Sequence, residues 1–249
     1  MTKTKALFNW SGGKDSSICL HKTLQSGEYD IPFLFTTVNA KYERITQHGV
    51  RTELLRTQAE NIGLPVKIMT LPDTPTMENY NQMMKETLTG FKKENIKASI
   101  FGDIFLEDLR RYREERLQEI GFKGVFPLWK QDTQKLAEEF IEEGFKAIVV
   151  CIDGSRLDKS FAGREYDKTF LEDLPDEVDP CGEHGEFHTF VYDGPIFKRP
   201  VPFTSGDIVY RQYTPPAKKE DDDNDYTCGT NRTPHPVSGF WFCDLLPGE

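Results

Sequence analysis

The chain has 249 residues and a net charge of −10, with 37% hydrophobic and 12% aromatic residues. This length suits one large domain or two modest ones, and the composition predicts a soluble enzyme with a well-solvated surface. The negative charge repels nucleic-acid backbones and argues against nucleic acid as a partner, and the lack of any run of 18 apolar residues argues against a membrane partner. The cysteines are five in number and include no C-x-x-C pair, which predicts a reduced, cytoplasmic protein.

The first elements along the chain are a short strand, a glycine turn and a helix. Apolar residues 6–8 precede the hexapeptide SGGKDS at 11–16, and apolar residues at helical spacing follow it to residue 24. Adjacent glycines let the backbone approach a ligand closely, and a helix N-terminus attracts anions. The stretch therefore predicts a phosphate site, although the spacing of a Walker P-loop is absent. A serine- and glycine-rich turn without function is the alternative.

Strands and helices then alternate as far as residue 152. Strands are predicted at 31–38, 65–71, 98–104 and 145–152, and helices at 50–62, 76–93, 107–120 and 133–143. This alternation predicts an α/β fold with a doubly wound parallel sheet. Ligands of such sheets bind beyond the carboxyl ends of the strands. We therefore expect the glycine turn and Gly102-Asp103, which ends the fourth strand, to lie at the same edge.

The second part of the chain differs in composition and pattern: after residue 153, prolines become frequent and helical periodicity weakens. We predict a second, smaller α+β domain and place the division so that residues 1–130 form the first domain and 131–249 the second. An acidic run at 218–225 is expected to be a mobile loop of the second domain.

A dense polar motif, DPCGEHGEFHT, occupies residues 179–189 of the second domain. Carboxylates grouped in this way can hold ammonium or Mg²⁺, or transfer protons, and a polar hairpin is the alternative. Cys181 is a candidate nucleophile, although no base at a recognised spacing supports it. Cys228, His235 and Cys243 could contribute to a zinc site, but their spacing matches no common pattern.

The hexapeptide resembles the PP-loop of the N-type ATP pyrophosphatases, and most of the chain resembles the branch that contains the diphthine–ammonia ligases. The resemblance rests on 11–16, 102–104, Arg113 with Glu115, 127–129, 181–189 and 193–197. It implies an adenine nucleotide alpha hydrolase-like first domain that binds ATP and Mg²⁺, and a second domain that recognises the substrate. The implied enzyme is a carbon–nitrogen ligase that adenylates a carboxylate, releases pyrophosphate and transfers ammonia to form an amide.

The resemblance also implies roles for individual residues. The nucleotide site would consist of Ser11, Gly12, Gly13, Lys14, Asp15, Ser16, Gly102 and Asp103. The expected Mg²⁺ ligands are Asp15 and Asp103, although a helix cap is an alternative role for Asp103. Substrate binding is expected from Arg113, Glu183, Glu186, His188 and Thr189, and catalysis from Lys14, Asp15, Glu183 and Glu186. A surface ion pair is the alternative role for Arg113, which fits the family's R-x-E pattern only with one inserted residue.

The motif departs from the family form E-G-G-E-[YF]-E-[TS], because His184 replaces a glycine and His188 replaces a glutamate. This EHGEFHT form resembles a bacterial variant for which a cobalamin-related substrate is an alternative to diphthine. A tRNA-sulfurating PP-loop enzyme is a second alternative, but paired catalytic cysteines and a basic face are missing. A non-catalytic nucleotide- or metal-binding module is a third. We expect the acyl group of the substrate to be carried by a protein or a small molecule, and free ammonia to be the nitrogen donor. A homo-oligomer is also expected.

Overall fold

A computed structural model of the protein describes residues 3–45, 49–213 and 238–248. The acidic run at 218–225 and the zinc candidates Cys228 and His235 lie outside these residues. Within them, no helix combines the length and the apolar character that crossing a bilayer requires.

The first half of the chain forms a mostly parallel sheet with helices on both faces. Its strands are β1 (Thr4–Asn9), β2 (Tyr29–Asp30), β3 (Leu34–Asn39), β4 (Arg44–Ile45), β5 (Val66–Leu71), β6 (Ala98–Ile100) and β7 (Lys123–Val125). Its helices are α1 (Lys14–Ser26), α2 (Thr52–Ile62), α3 (Met77–Lys92) and α4 (Glu107–Glu119). The strand order is β4-β3-β1-β6-β7, with β2 beside β1 and β5 beside β3; β4 pairs antiparallel with its neighbour, and the other pairs are parallel.

Helices on opposite faces of this sheet bury separate sets of side chains. Residues of α1 and α2 join a large core with Ala6 and Phe8 of β1, whereas Leu88 of α3 and Leu117 of α4 pack with Leu7 on the other face. Successive side chains of a strand point to opposite faces, so β1 is buried on both. The predicted α/β class and the doubly wound sheet are therefore confirmed.

The second half of the chain forms a separate antiparallel sheet in the order β10-β11-β8-β9. Its elements are α5 (Thr133–Glu142), β8 (Lys146–Asp153), α6 (Lys168–Glu172), β9 (Phe187–Asp193), β10 (Phe203–Tyr213) and β11 (Ser238–Pro247). The expected second, smaller α+β part is therefore present. The large core of α1 and α2 continues into this part of the chain through Phe140 of α5, Ile148 of β8 and Phe190 of β9.

The prediction that 145–152 is the fifth strand of the parallel sheet is wrong. This strand, β8, pairs antiparallel with β9 and β11. A strand buried along almost its whole length has a continuous apolar run in either kind of sheet. The fifth main strand of the first sheet is β7, whose three residues are too few and too exposed to give a pattern.

The last described strand is attached to the first sheet by a carboxylate between two arginines. Asp244 of β11 accepts hydrogen bonds from Arg44 Nη1 (2.9 Å) and from Arg51 Nε (3.2 Å) and Nη2 (2.6 Å). Burial raises the pKa of Asp244, but the bonds from Arg51 and Arg44 outweigh it, so the pKa lies below its ordinary value. The bonds from the two arginines therefore stabilise the folded state only while the Asp244 carboxylate is ionised.

We expect Asp244→Asn to lower the free energy of unfolding at pH 7 by about 1–2 kcal/mol, since charge-assisted hydrogen bonds are lost. Because the folded pKa is lowered, the wild-type advantage is complete above the pKa of an unfolded aspartate and declines as pH falls through the folded pKa. Urea unfolding at pH 7 and pH 3 measures both effects. Asp207→Asn, at an exposed position of β10, is the matched control. Equal curves for Asp244→Asn and wild type at pH 7 would contradict the prediction.

Candidate active site

The hexapeptide forms the turn from β1 into α1, at the carboxyl end of β1. Gly13 is the N-cap of α1 and offers no side-chain cap, while Gly12 has a φ of +79°. The turn is braced from within: Ser11 Oγ accepts the Gly13 N–H at 3.3 Å and donates to Ser16 Oγ at 3.1 Å. The hydroxyls of Ser16 and Ser17 donate to the Gly13 carbonyl at 2.9 Å each. The predicted phosphate donors Ser11 and Ser16 thus also fix the shape of the turn.

Gly102 follows β6 and touches the first turn of α1. A Cβ at this position would lie 3.1 Å from the carbonyl oxygen of Asp15 and 3.3 Å from the backbone nitrogen of Ser16. Backbone atoms of a helix cannot move aside as a flexible side chain could. A glycine therefore lets the segment after β6 pass directly against the helix N-terminus, and it brings Asp103 to the turn.

The second sheet is bonded to the same turn. The Lys14 N–H donates to Thr189 Oγ1 at 3.0 Å, and the Val191 N–H donates to the Gly12 carbonyl at 2.9 Å. Thr189 and Val191 belong to β9, the strand that begins at Phe187 within the polar motif. The two motifs, which are far apart in the sequence, therefore form a single site, in which β9 satisfies a backbone donor at the start of α1.

Lys14 connects the two motifs through its side chain. Its ammonium donates to both carboxylate oxygens of Asp15, at 2.9 and 2.8 Å, and to the carbonyl of Cys181. The residue is only 4% exposed, and the rings of Tyr166 and Phe187 lie 6.0 and 5.4 Å from the ammonium. Burial lowers the pKa of Lys14, but Asp15 and other negative neighbours outweigh it, and the net shift is upward. Lys14 is therefore a cation at neutral pH.

Two carboxylates hold the polar motif in its conformation. Asp179 Oδ1 accepts the backbone N–H groups of Cys181 (2.8 Å) and Glu183 (3.3 Å), and Thr133 donates to Oδ2 at 2.7 Å. Glu186, 1% exposed, accepts the N–H groups of Asp179 at 3.3 Å and His184 at 2.9 Å, one on each oxygen. Sequence reasoning gives Asp179 no role, although an Asp-Pro step before a glycine is a signal for such a turn.

Glu183 is the carboxylate of the motif that is left without a hydrogen bond on one side. Its Oε2 is buried and has no hydrogen-bond partner among the described residues. Burial and the nearby charge of Asp15 raise the pKa of Glu183 to about 8, against the opposing effect of Lys14. Such a group can bind a donor from a substrate or exchange a proton near neutral pH.

Asp103 lies beside Arg113 at the edge of the site. Arg113 Nη1 approaches Asp103 Oδ2 to 2.9 Å without hydrogen-bond alignment, and its guanidinium also lies 4.4 Å from the centre of the Phe101 ring. Burial and the Asp15 charge raise the pKa of Asp103, while Arg113 opposes them. The N-cap of α4 is Leu106, so the alternative role of Asp103 as that helix cap does not apply.

No group of three or more His, Cys, Asp or Glu side chains stands at metal-ligand spacing in the parts of the chain that the structure describes. Mg²⁺ does not require such a group, since it is commonly bound by one or two carboxylates, water and substrate phosphates. The buried Asp103 Oδ2, which makes no aligned hydrogen bond, and the Asp15 carboxylate next to the turn fit this kind of partial ligand set.

The remaining candidates occupy defined places. His184 lies against the ring of Phe105, 5.2 Å between centroids, and His188 stands on β9 opposite Cys151. Cys181 is 3% exposed, donates its Sγ–H to the Thr133 carbonyl at 3.3 Å, and burial raises its pKa. Cys181 is therefore a buried thiol that stays protonated at neutral pH, which makes it a poor nucleophile.

Two family models together match most of the chain. Residues 2–124 match the diphthamide synthase N-terminal domain, and residues 132–214 match the diphthamide synthase C-terminal domain. The chain belongs to the diphthamide synthase family. This confirms the resemblance to the diphthine–ammonia ligase branch that the two motifs indicated.

Several relatives of this diphthamide synthase family member carry the name diphthine–ammonia ligase. The Danio rerio protein is 25% identical over 214 residues, which cover 77% of this chain and 83% of the relative. The Schizosaccharomyces pombe protein is 28% identical over 136 residues, or 53% of this chain and 22% of the relative. The Mus musculus protein is 30% identical over 127 residues, or 47% of this chain and 46% of the relative. The chain thus spans less than half the length of two of these three relatives.

Proposed function

We propose that the protein is an ATP-dependent ligase that converts a substrate carboxylate into an amide with ammonia. The observation that carries the proposal is the attachment of the PP-loop turn to the polar motif through Lys14 and Thr189. A helix N-terminus suited to phosphate and an unsatisfied carboxylate suited to a substrate thereby share one site. Family membership and the names of the relatives support the same reaction class.

In the proposed reaction, the first turn of α1 and Lys14 bind the phosphates of ATP. An oxygen of the substrate carboxylate attacks the α-phosphorus, the bond to the β,γ-pyrophosphate breaks, and pyrophosphate leaves with that electron pair. Ammonia then attacks the activated acyl carbon, the bond to AMP breaks, and one proton is lost from nitrogen. Mg²⁺ held by Asp15 and Asp103 would neutralise charge on the phosphates.

In this proposal the residues of the polar motif bind the substrate, accept a proton or hold the motif in position. Glu183, with one oxygen free, contacts the substrate and accepts the proton from the attacking nitrogen. Glu186, whose two oxygens both bind backbone N–H groups, keeps the motif in position rather than contacting substrate. Arg113 fits a substrate carboxylate or phosphate at the edge of the site. Residues 1–130 would thus bind ATP and residues 131–249 the acyl substrate.

A second candidate concerns the substrate. His184 and His188 stand where the family motif has glycine and glutamate, and His184 packs on Phe105, two residues after Asp103. Imidazole in place of a carboxylate changes the charge and the hydrogen-bond donors offered to a ligand. This observation favours an acyl substrate other than diphthine, processed by the same ATP chemistry.

The proposal predicts pyrophosphate release that depends on a carboxylate substrate. The purified protein would be incubated with ATP, Mg²⁺ and ammonium, first with diphthine-modified elongation factor and then with corrinoid carboxylic acids. Release with the elongation factor alone would identify a diphthine ligase, and release with a corrinoid acid alone would identify the second candidate. If ATP binds tightly but neither substrate causes pyrophosphate release, the proposed nucleotide site would stand and both proposed substrates would be rejected. No binding of ATP would reject the function.

A further inference from the structure

The turn is held by a buried amide that belongs to neither motif. Gln58 lies on α2, 46 residues after Gly12, and is fully buried. Its Nε2 donates to the Gly12 carbonyl at 3.0 Å and to the Val191 carbonyl at 2.6 Å. Its Oε1 accepts the indole N–H of Trp10 at 3.1 Å. One side chain thus joins the end of β1, the turn and β9.

The three partners fix the amide in one orientation. Two carbonyl acceptors face the NH₂ group, and one N–H donor faces the oxygen, so a flipped amide would lose all three bonds. A Cβ on Gly12 would lie only 2.5 Å from Gln58 Oε1. The turn and the amide are therefore packed as closely as a glycine permits.

These contacts determine which way a peptide group of the turn points. The Gly12 carbonyl accepts N–H groups from both Gln58 and Val191, which lie on the α2 and β9 side. Because that peptide is trans, the N–H of Gly13 must point the opposite way, into the turn, where it meets Ser11 Oγ. Gln58 thus helps to orient the Gly13 N–H at the N-terminus of α1, the end of a helix that attracts anions.

We propose that Gln58 is a positioning residue of the nucleotide site, and that it makes phosphate affinity depend on the attachment of β9. The inference deepens the proposed function and rests on the binding of ATP at this turn. Without the amide, the Gly12–Gly13 peptide loses one of the two hydrogen bonds to its carbonyl, and the free energy of ordering that peptide must then come from the binding of the phosphates.

Asn61, one turn further along α2, provides a matched control. It is 2% exposed, accepts from Arg199 Nε at 3.0 Å and donates to the Pro200 carbonyl at 3.2 Å. It therefore also joins α2 to the second half of the chain through a buried amide, but these two bonds do not involve the turn. Loss of Asn61 tests whether any weakening of this interface would affect the nucleotide.

Calorimetric titration of the full chain with Mg·ATP and with adenosine, together with urea unfolding, tests the inference on Gln58→Met and Asn61→Leu. We expect Gln58→Met to raise the Kd for ATP about tenfold or more, as loss of an orienting buried hydrogen bond implies, with the adenosine Kd within about twofold of wild type. Asn61→Leu should lose stability to a similar extent and keep the ATP Kd within about twofold of wild type. Gln58→Glu, which turns an acceptor toward two carbonyls, should weaken ATP binding further.

An ATP Kd for Gln58→Met within about twofold of wild type would overturn the inference alone. Equal weakening by Asn61→Leu, or an equal loss of adenosine affinity, would also overturn it, because the effect would then be one of general stability. Failure of the wild-type protein to bind ATP would overturn both the inference and the proposed function.

Discussion

Gly12→Ala should abolish measurable ATP binding and lower the free energy of unfolding by about 2–5 kcal/mol. The left-handed backbone at φ +79° costs a residue with a Cβ about 1–2 kcal/mol. The added Cβ would also lie 2.5 Å from Gln58 Oε1. Gln58 cannot withdraw without breaking its bonds to Trp10, Gly12 and Val191, so the turn itself must move. Overpacking of this kind adds about 1–3 kcal/mol.

Gly27→Ala separates the two contributions of the Gly12 prediction. Gly27 ends the same helix with a similar φ of +64°, but the atom nearest to a Cβ added there would be the flexible Lys3 ammonium at 3.7 Å. It should therefore cost only the backbone contribution of about 1–2 kcal/mol and leave the ATP Kd unchanged. Calorimetric titration with Mg·ATP and urea unfolding of both variants provide the comparison. A Gly12→Ala protein that binds ATP like Gly27→Ala would contradict the proposed nucleotide site.

The sequence is sufficient to predict the turn of residues 11–16 and its neighbour Gly102-Asp103, because the signals for both are local. The turn of residues 11–16 lies between a strand and a helix that their own apolar patterns reveal. Gly102-Asp103 can be placed beside it because ends of parallel strands share one edge. That Gly102 contacts the first turn of α1 gives this placement a steric reason, since a Cβ there would meet helix backbone.

Other parts cannot be predicted because they depend on contacts between distant segments. Burial of β8 on both faces looks the same in a parallel and an antiparallel sheet, so its pattern does not reveal its partners. Gln58 is one polar residue on an amphipathic helix, and nothing local distinguishes it from an exposed glutamine. The motif alone makes Cys181 a candidate nucleophile, but its burial against Thr133 argues against that role. Side-chain environment, rather than residue type, decides these roles.

Lys14→Ala should reduce substrate-dependent pyrophosphate release at least about 100-fold, the usual cost of removing one group that stabilises a reacting oxyanion. The protein should still fold, with an unfolding free energy lower by about 2 kcal/mol. A buried ion pair broken on one side costs about 3–5 kcal/mol, and the Asp15 side chain, 31% exposed, recovers part of this through solvation. Release assays with the substrate that the screen identifies, and urea unfolding, measure both effects.

Lys22→Ala is the control that shows whether the effect depends on where on α1 the positive charge lies. Lys22 lies on the same helix and pairs with Glu139 of α5, away from the turn. The substitution also removes a lysine ammonium from α1 and an ion pair to the second half of the chain, yet it should leave pyrophosphate release unchanged. Unchanged release in Lys14→Ala would instead mean that the ammonium serves only to bind Asp15 and the Cys181 carbonyl. The contact between the two motifs would then be structural, and the phosphates would depend on the helix N-terminus alone.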